Sequence, residues 1–382
     1  MSLTKIKSDR IILENGLFDG YIYLEKGKIL SVEKADKDAA TEYDFTGLYV
    51  APGFIDMHTH GAGGHPFLNT TKKDVLAAVD YHLNYGTTTI LPTISASPFS
   101  DMKDAVIAIA DAIDCGESKA NILGAHLEGP YLSKEQCGAQ CPTFITEPIK
   151  SDYEDLVENY GKYIARWTYA PEKDRGEFCK YLTDKGIIAS AGHTNAKYED
   201  MKRAIDNGCN LITHLYSCTS TITREYGFRS LGVIESAFLR DELYVEIIAD
   251  GKHLPIDLVK MIIKIKGTDK TALITDSLEI ACTDIKEGIM GGTEFIVEDG
   301  VCKLKDRSAF AGSVATANRL VRFIAKDCGF GVIDAVKMIT KVPAEILKLN
   351  KGVIATDKDA DLCVFDDNID IKSVFVGGKK VK

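Results

Sequence analysis

The middle of the chain alternates short apolar segments with helical ones, and this alternation limits the folds that the chain can adopt. Eight strand candidates can be counted, beginning with the segment that carries His58. They are residues 52–60, 86–93, 121–128, 166–170, 186–193, 211–214, 244–250 and 271–276. Helical segments are expected between several of them, at residues 72–85, 101–114, 198–207 and 256–264. Strands that alternate with helices predict a parallel sheet built from βα units.

Eight βα units between residues 52 and 342 predict a (β/α)8 barrel of the TIM type, whose usual size is about 250 residues. A doubly wound open sheet is the alternative. No GxGxxG motif follows the first strand, however, and polar residues close many of the strands. Barrel enzymes carry their chemistry at the carboxyl ends of the strands in this way, so the barrel is favoured.

Both ends of the chain have β-type character. Short runs rich in β-branched and aromatic residues, separated by turn signals, lie in residues 11–50 and again at 361–365 and 373–377. We therefore predict a small β-sandwich domain built from both termini, residues 1–51 plus 343–382. The barrel domain would occupy residues 52–342.

Composition and charge exclude several classes of protein. The 382 residues are 45% hydrophobic, enough for one large core and a smaller one. The N-terminus lacks a signal-peptide apolar segment, and no stretch approaches the roughly 20 apolar residues that span a bilayer. Ten cysteines without a CxxC pair suit a reducing compartment, and a net charge of −10 disfavours nucleic acid. We expect a cytoplasmic protein with no membrane or nucleic-acid partner.

Polar side chains with metal-binding or acid–base chemistry close five of the predicted strands. They are His58, His60, Glu128, His193, His214 and Asp276. His58 and His60 are two residues apart, so a strand presents both on one face. Each residue alone could be a buried, hydrogen-bonded side chain or a turn cap. A barrel would gather all six around one mouth, and four of the eight histidines of the chain belong to this set.

Such a set is typical of metal-assisted hydrolysis. A catalytic site uses about three protein ligands and keeps one position open, and the bound water becomes a nucleophile near neutral pH. A carboxylate must then accept the proton of the water, and Asp276 is the candidate for this role. Glu128 could contact one ion or bridge two. Imidazole and carboxylate ligands suit Zn²⁺, Fe²⁺ and Mn²⁺, so we expect one or two of these divalent ions.

Several motifs, in order along nearly the whole chain, carry a resemblance to a known family. They are PGFIDMHTH at 52–60, HLEGP at 126–130, APE at 170–172, GHTNA at 192–196, THLY at 213–216, IADGKH at 248–253, LITD at 273–276 and AGS at 311–313. The chain resembles the amidohydrolase superfamily and, within it, the N-acetylglucosamine-6-phosphate deacetylases. The HxH pair is typical of the superfamily, whereas HLEGP, GHTNA and THLY are typical of the deacetylases.

The resemblance implies an activity and a role for each site residue. Glu128, His193 and His214 would hold the principal metal ion, and His58 and His60 a second one. Asp276 would be the general acid and base. The reaction would be hydrolysis of the N-acetyl amide of an amino-sugar 6-phosphate, giving glucosamine 6-phosphate and acetate from N-acetylglucosamine 6-phosphate.

The resemblance also implies substrate contacts and an assembly. Arg224 and His253 fall at the positions that anchor the sugar phosphate and ring hydroxyls. Some members of the family lend such residues across a dimer interface, so a homodimer is implied.

Three segments depart from the family pattern. Gln140 replaces a histidine that hydrogen-bonds the acyl oxygen, and Ser217, Cys218 and Thr219 replace Asn-Ala-Met in the phosphate-binding loop. Residues 315–317 replace a Leu-Thr-Met segment. Gln140, Ser217 and Cys218 are therefore predicted substrate contacts that differ from those of the family. Alternatives for the substrate are the galacto epimer, an unphosphorylated N-acyl sugar or a cyclic amide. A catalytically inactive sensor and a base deaminase are further alternatives.

Overall fold

The computed structural model describes residues 3–290 and 293–382. The chain opens with five strands joined by short turns. They are β1 (Thr4–Leu13), β2 (Gly16–Glu25), β3 (Lys28–Glu33), β4 (Thr41–Asp44) and β5 (Tyr49–Pro52). Lys26 and Gly27 between β2 and β3 both have positive φ, 52° and 80°. This conformation suits a two-residue hairpin loop, because its twist matches that of the flanking strands.

The next part of the chain alternates strands with helices. Its first half contains β6 (Phe54–Thr59), β7 (Gly61–Ala62), β8 (His65–Pro66), α1 (Lys72–Leu83), β9 (Thr87–Ser95), α2 (Phe99–Asp114), β10 (Asn121–Ile122), β11 (Ala125–Glu128), α3 (Lys150–Tyr160) and β12 (Ile164–Tyr169). Its second half contains α4 (Glu177–Asp184), β13 (Ile188–Ala191), α5 (Tyr198–Asp206), β14 (Leu211–Ile212), β15 (Thr223–Glu225), β16 (Phe228–Ser230), α6 (Val233–Leu239), β17 (Tyr244–Ile248), α7 (Ile256–Lys266) and β18 (Thr271–Ile274).

The remainder returns to strands and then to helices before the last three strands. It contains β19 (Glu287–Met290), β20 (Thr293–Glu298), β21 (Val301–Leu304), β22 (Phe310–Gly312), α8 (Ala317–Arg322), α9 (Val332–Ile339), α10 (Lys341–Ile346), β23 (Leu362–Phe365), β24 (Ile371–Val376) and β25 (Lys379–Lys380). A π-helical turn, Phe323–Asp327, follows α8, and short 3₁₀ turns lie at residues 134–136, 161–163, 171–173 and 268–270.

Eight parallel strands of the described chain form the predicted barrel, in the order β6, β9, β11, β12, β13, β14, β17 and β18. The barrel closes between its last and first strands. The backbone N–H of Asp276 donates to the carbonyl of His58 over 2.8 Å, and that of His60 donates to Ser277 over 2.7 Å. The strands are almost entirely buried, as expected for a parallel sheet covered by helices.

The barrel prediction is confirmed, and three of the strands that lead to site residues end earlier than predicted. The strand predicted at 186–193 ends at Ala191, the one at 211–214 ends at Ile212, and the one at 271–276 ends at Ile274. His193, His214 and Asp276 follow these strands with positive φ, 46°, 30° and 47°. A left-handed residue ends strand pairing and turns the chain sharply, which aims each side chain into the barrel mouth.

Strands from both termini share one hydrogen-bonded sheet, in the order β25, β24, β23, β5, β1, β2 and β3, with β4 paired to β1. This sheet has its own hydrophobic cluster, to which both ends of the chain contribute. Its members are Ile6, Ile11, Ile22, Leu24, Ile29, Val50, Ile354, Ala360, Leu362, Val364 and Phe375. The predicted β-structure built from both termini is confirmed, and its strands belong to one hydrogen-bonded sheet.

We propose the domain division predicted from the sequence, residues 1–51 plus 343–382 and residues 52–342. The second boundary falls inside α10, whose Val342, Ala344 and Ile346 pack in one cluster with Ile55 and Met57 of β6. The chain thus crosses between the domains through a packed helix.

A four-stranded antiparallel sheet, β19 to β22, was not predicted. It packs through a small cluster made by Leu278, Ile280, Phe295 and Cys302. The sequence did contain a signal for it, because Asp299 and Gly300 separate two alternating apolar runs. Asp-Gly in this setting is a strong hairpin signal, and both residues have positive φ, 55° and 77°.

No helix in residues 3–290 or 293–382 has both the length and the apolar character to cross a membrane.

Candidate active site

Six predicted residues meet at the carboxyl ends of the barrel strands. His58 lies on β6 and His60 directly after it, Glu128 ends β11, and the other three follow β13, β14 and β18. Five different strands therefore deliver the set His58, His60, Glu128, His193, His214 and Asp276. His58, Glu128, His193 and His214 are buried, and His60 and Asp276 are partly accessible from the mouth.

The carboxylate of Glu128 lies at the centre of the set. Its Oε1 is 3.1 Å from Nε2 of His193, 3.0 Å from Nε2 of His214 and 3.3 Å from Nε2 of His58. Its Oε2 is 3.2 Å from Nε2 of His60. Two overlapping groups of metal-binding geometry result. They are Glu128 with His193 and His214, and Glu128 with His58 and His60.

Asp276 faces the HxH side of this centre. Its Oδ1 is 3.3 Å from Nε2 of His58 and 3.2 Å from Nε2 of His60. The two imidazole Nε2 atoms are 3.4 Å apart. Asp276 therefore stands where it could bind an ion or accept a proton from a water molecule beside one.

Outer contacts of three histidines favour Nε2 as the ligand atom. Nδ1 of His193 is 2.9 Å from the carbonyl oxygen of Gln136, and Nδ1 of His214 is 3.0 Å from that of Ser217. A carbonyl only accepts, so each Nδ1 carries a proton, and Nε2 is the ring nitrogen that faces Glu128. Nδ1 of His60 lies 3.0 Å from Oγ of Ser95. Partners of this kind orient metal ligands in many proteins, so the donor set fits a divalent ion.

Close contacts between carboxylates and imidazoles shift the pKa values of the site residues. Burial lowers the histidine pKa values, but Glu128 and Asp276 outweigh it and raise the pKa of His58 to about 9 and that of His60 to about 10. Burial alone would raise the pKa of Asp276, yet His58 and His60 hold it at about 2. Side chains so arranged exchange protons for a cation readily, because a cation satisfies the same carboxylates.

Gln140, a predicted substrate contact, forms a hydrogen bond with Glu128 of the proposed metal-binding residues. Its Nε2 donates to Oε2 of Glu128 over 2.8 Å, and its Oε1 accepts from the backbone N–H of Ala96 over 2.9 Å. Both ends of the amide are therefore engaged, and one of them orients the central carboxylate.

The two altered segments of the predicted substrate shell lie against each other. A Cβ built on Gly138, which has φ of 59°, would lie 2.6 Å from Sγ of Cys218, so a side chain at position 138 would clash. The carbonyl of Cys218 accepts from the N–H of Thr194, and that of Ser217 holds His214. Residues 137–141 and 217–219 thus lie together beside His193 and His214.

Arg224 and His253 lie in loops at the same end of the barrel. Arg224 is on the exposed hairpin of β15 and β16 and makes no ion pair within the part of the chain that the structure describes. His253 follows β17, and its Nδ1 is 2.9 Å from Oδ2 of Asp250. The ring of His253 packs on Phe310 of the unpredicted sheet, with ring centroids 4.9 Å apart. That sheet therefore borders the mouth.

Sequence reasoning missed two charged residues inside the barrel. Arg166 on β12 and Glu246 on β17 are both fully buried and form an ion pair. Burial alone would raise the pKa of Glu246, but Arg166 and His58 lower it, so the carboxylate is ionised. A charge in the middle of an otherwise apolar strand was the available signal, in IARWTY and in YVEII.

Comparison with known proteins decides the family. A model of the amidohydrolase family matches residues 49–381. The chain belongs to the amidohydrolase family. The resemblance seen in the sequence motifs is thereby confirmed, and the chain is a hydrolase of the class that acts on amides.

Two relatives of this amidohydrolase are named as deacetylases of N-acetylated amino-sugar 6-phosphates. An N-acetylgalactosamine-6-phosphate deacetylase of Shewanella sp. (strain ANA-3) is 32% identical over 371 residues, covering 94% of this chain and 89% of the relative. An N-acetylglucosamine-6-phosphate deacetylase of Haemophilus influenzae is 30% identical over 341 residues, covering 88% and 87%.

A solved structure agrees closely with the fold of this amidohydrolase. It is a mutant N-acetyl-D-glucosamine-6-phosphate deacetylase from Mycobacterium smegmatis in complex with N-acetyl-D-glucosamine-6-phosphate, with a TM-score of 0.92 and 27% identity. The match covers 100% of both chains.

Proposed function

We propose that this amidohydrolase hydrolyses the N-acetyl amide of an amino-sugar 6-phosphate, converting N-acetylglucosamine 6-phosphate into glucosamine 6-phosphate and acetate. The observation that carries the proposal is the centre built on Glu128, with two histidine pairs and Asp276 around it. This centre lies in a chain that matches deacetylases of this name over most of its length.

Metal binding is assigned to the converging ligand atoms. Glu128, His193 and His214 would hold the principal ion, and His58 and His60, which also converge on Glu128, would hold a second one. Zn²⁺ and Fe²⁺ suit the imidazole and carboxylate set best, and Mn²⁺ is also compatible. When bound, such an ion polarises the amide carbonyl and lowers the pKa of a coordinated water.

Asp276 carries the proton in the proposed reaction. Its carboxylate accepts a proton from the attacking water and passes it to the departing amine nitrogen. A pKa of about 2 keeps the Asp276 side chain ionised near neutral pH, as a general base requires. Glu128 keeps both oxygens engaged and is not free to take this role.

The substrate is proposed to lie between the altered loops and the hairpin. Gln140, Ser217, Cys218, Arg224 and His253 are the proposed substrate contacts. The planar guanidinium of Arg224 suits a phosphate, and the protein needs such a local cation because its net charge is −10.

We also propose that the enzyme is a cytoplasmic homodimer. All ten cysteines lie in the described ranges as free thiols, which suits a reducing compartment. Tyr226 and Phe228, at the tip of the Arg224 hairpin, are 102% and 80% exposed. Large apolar side chains held in solvent are expected to pack on a partner, and a second copy of this chain is the proposed partner.

A second candidate substrate is N-acetylgalactosamine 6-phosphate. A relative that is 32% identical bears that name, and residues 137–141 and 217–219 beside the site are the segments predicted to depart from the family pattern. Epimers differ at a single hydroxyl, so a few altered polar contacts suffice to change the preference.

The deciding experiment measures acetate release by purified protein of known metal content. The substrates are both 6-phosphorylated epimers and their unphosphorylated forms. Rapid release from one phosphorylated epimer is expected and identifies the substrate. Absence of release from all four, with metal bound, would reject the proposal.

A further inference from the structure

The barrel interior holds an ion pair whose position calls for an explanation. Arg166 on β12 and Glu246 on β17 are 0% exposed, on strands that are not neighbours in the sheet. Replacing such a pair with apolar residues is often neutral or even stabilising, because removing two charges from water is costly. Stability alone is therefore a weak reason for its presence.

The guanidinium of Arg166 is completely satisfied and therefore fixed. Nη1 and Nη2 donate to the two carboxylate oxygens of Glu246, the second over 2.8 Å. The remaining hydrogens go to Oγ of Ser190 over 3.0 Å, Oγ1 of Thr213 over 2.7 Å and the carbonyl of Met57 over 3.4 Å. All five donors are used, so Arg166 holds the Glu246 carboxylate in one orientation.

That orientation points one oxygen at a proposed metal ligand. Oε2 of Glu246 lies 3.9 Å from Nδ1 of His58. The His58 ring is 0% exposed, and its Nδ1 has no hydrogen-bond partner among the described residues. By contrast, Nδ1 of His60, His193 and His214 each has an oxygen within 3.0 Å.

A histidine that binds a metal through Nε2 usually donates its Nδ1–H to a carboxylate or carbonyl, which fixes the ring and strengthens the ligand. Glu246 is the carboxylate that faces the one unpartnered ring nitrogen of the set. Its charge is balanced by Arg166, so it can accept this hydrogen bond without adding net charge beneath the cation.

We propose that Glu246, held by Arg166, is a positioning residue that accepts a hydrogen bond from Nδ1–H of His58 and thereby supports a second divalent ion at His58 and His60. The inference rests on the metal assignment of the proposed function. It deepens that assignment, because it makes the enzyme a two-ion amidohydrolase with a built support for the second ion.

The test is Zn²⁺ binding to the metal-stripped protein by calorimetry, with elemental analysis after dialysis. Wild type is expected to bind two ions per chain. Glu246→Gln keeps the shape but leaves the charge of Arg166 unbalanced, and the second ion should bind about 10- to 100-fold more weakly. Binding at Glu128, His193 and His214 should change little.

The double variant Arg166→Met/Glu246→Leu guards against misfolding, because it removes both charges together. It should weaken the second ion in the same way while the first ion binds as in wild type. His58→Asn supplies the one-ion reference. Ser190→Ala is the matched control, since it removes one acceptor of Arg166 but leaves Glu246 and His58 in place, and it should retain two ions.

A double variant that binds two ions with wild-type affinities overturns the proposal, and so does a wild type that binds one ion. Neither result touches the deacetylase proposal, which acetate release tests separately. A third outcome would separate the two proposals. If wild type binds two ions, both variants bind the second ion more weakly, and no sugar releases acetate, the role of Glu246 is supported and the proposed reaction is rejected.

Discussion

Gln140 donates a hydrogen bond from Nε2 to Oε2 of Glu128 over 2.8 Å, on the side of the carboxylate that faces His60. Oε1 of Glu128 faces His193 and His214, and it also lies 3.3 Å from Nε2 of His58. The hydrogen bond from Gln140 thereby fixes the orientation of the Glu128 carboxylate, which lies between the two proposed ion sites. Its other end is anchored to the backbone of Ala96, so the orientation does not depend on a bound substrate.

Gln140→Ala should therefore weaken metal binding as well as catalysis. A hydrogen bond to a charged group contributes about 1.5–3 kcal/mol, so Zn²⁺ affinity and kcat/KM should each fall roughly 10- to 100-fold. Calorimetry and steady-state kinetics measure the two effects. Gln136→Ala is the control, because it truncates an amide nearby but keeps the backbone carbonyl that holds His193. A raised KM with unchanged Zn²⁺ affinity would instead make Gln140 a substrate contact alone.

The barrel and the six polar residues at its strand ends were predictable because both are local patterns. Apolar runs of strand length identified the strands, and a polar residue at the end of each run identified His58, Glu128 and His214 before any contact was known. The order of parallel strands then brings those ends together, since a barrel has only one carboxyl-terminal mouth.

The contacts between distant strands were not predictable in the same way. Arg166 and Glu246 are 80 residues apart on non-adjacent strands, and no local pattern says which interior side chains face each other. Gln140 lies in a loop whose path depends on tertiary packing. The hairpin at Asp299 and Gly300 differs from both cases, because its Asp-Gly signal is local and was present in the sequence.

Asp276→Asn should abolish most turnover and leave the principal metal site intact. The amide cannot accept a proton from water, and positioned acid–base groups contribute about 10²- to 10⁴-fold, so kcat should fall by that factor. Elemental analysis should still find the ion at Glu128, His193 and His214, because none of these three depends on Asp276. Turnover near wild type with full metal content would remove Asp276 from the mechanism.

Binding of the second ion should weaken steeply with acid. His58 and His60, with pKa values of about 9 and 10 in the absence of a cation, are protonated at pH 7, so the ion must displace both protons. Affinity should fall about 100-fold for each unit of pH lost between 8 and 6. Zn²⁺ titrations at three pH values, in buffers of different ionisation enthalpy, measure the slope and the protons released. A slope near zero would contradict the proposed ligand pair.

His82 should make the free energy of unfolding decrease in acid, independently of metal binding. It is buried on α1, 3.0 Å from Oγ1 of Thr59 and 3.1 Å from the carbonyl of Gly61, and burial lowers its pKa to about 4. The unfolded chain binds the proton first, with a pKa of about 6.5, so stability present above pH 6.5 is lost as the pH falls toward 4.

The loss from His82 should reach at most about 3 kcal/mol, since each pKa unit corresponds to about 1.4 kcal/mol. Urea unfolding in the presence of a chelator, from pH 7 to 4.5, excludes the contribution of metal loss. His82→Gln should flatten the dependence, because glutamine does not titrate. An unchanged slope in this variant would place the acid sensitivity elsewhere.

Arg224 should discriminate phosphorylated from unphosphorylated sugars. Its guanidinium is exposed, has no carboxylate partner in residues 3–290 or 293–382, and lies on the hairpin beside the apolar Tyr226 and Phe228. Arg224→Ala should raise KM for the 6-phosphate roughly 10- to 100-fold, as expected for a lost charge-assisted hydrogen bond, and leave kcat nearly unchanged. Hydrolysis of the unphosphorylated sugar should not respond.

Arg229 provides a matched control for Arg224 because it is the cross-strand partner of Arg224 on the same hairpin. Arg229→Ala removes an equal charge from the same surface, so a general electrostatic effect would raise KM in both variants alike. A specific phosphate contact predicts a change in Arg224→Ala only. If the hairpin packs on a second copy of the chain and contributes to its substrate site, Tyr226→Ser should also raise KM. The same variant should shift the mass measured by light scattering toward that of the monomer. An effect of Tyr226→Ser on mass without one on KM would separate the interface from the substrate site.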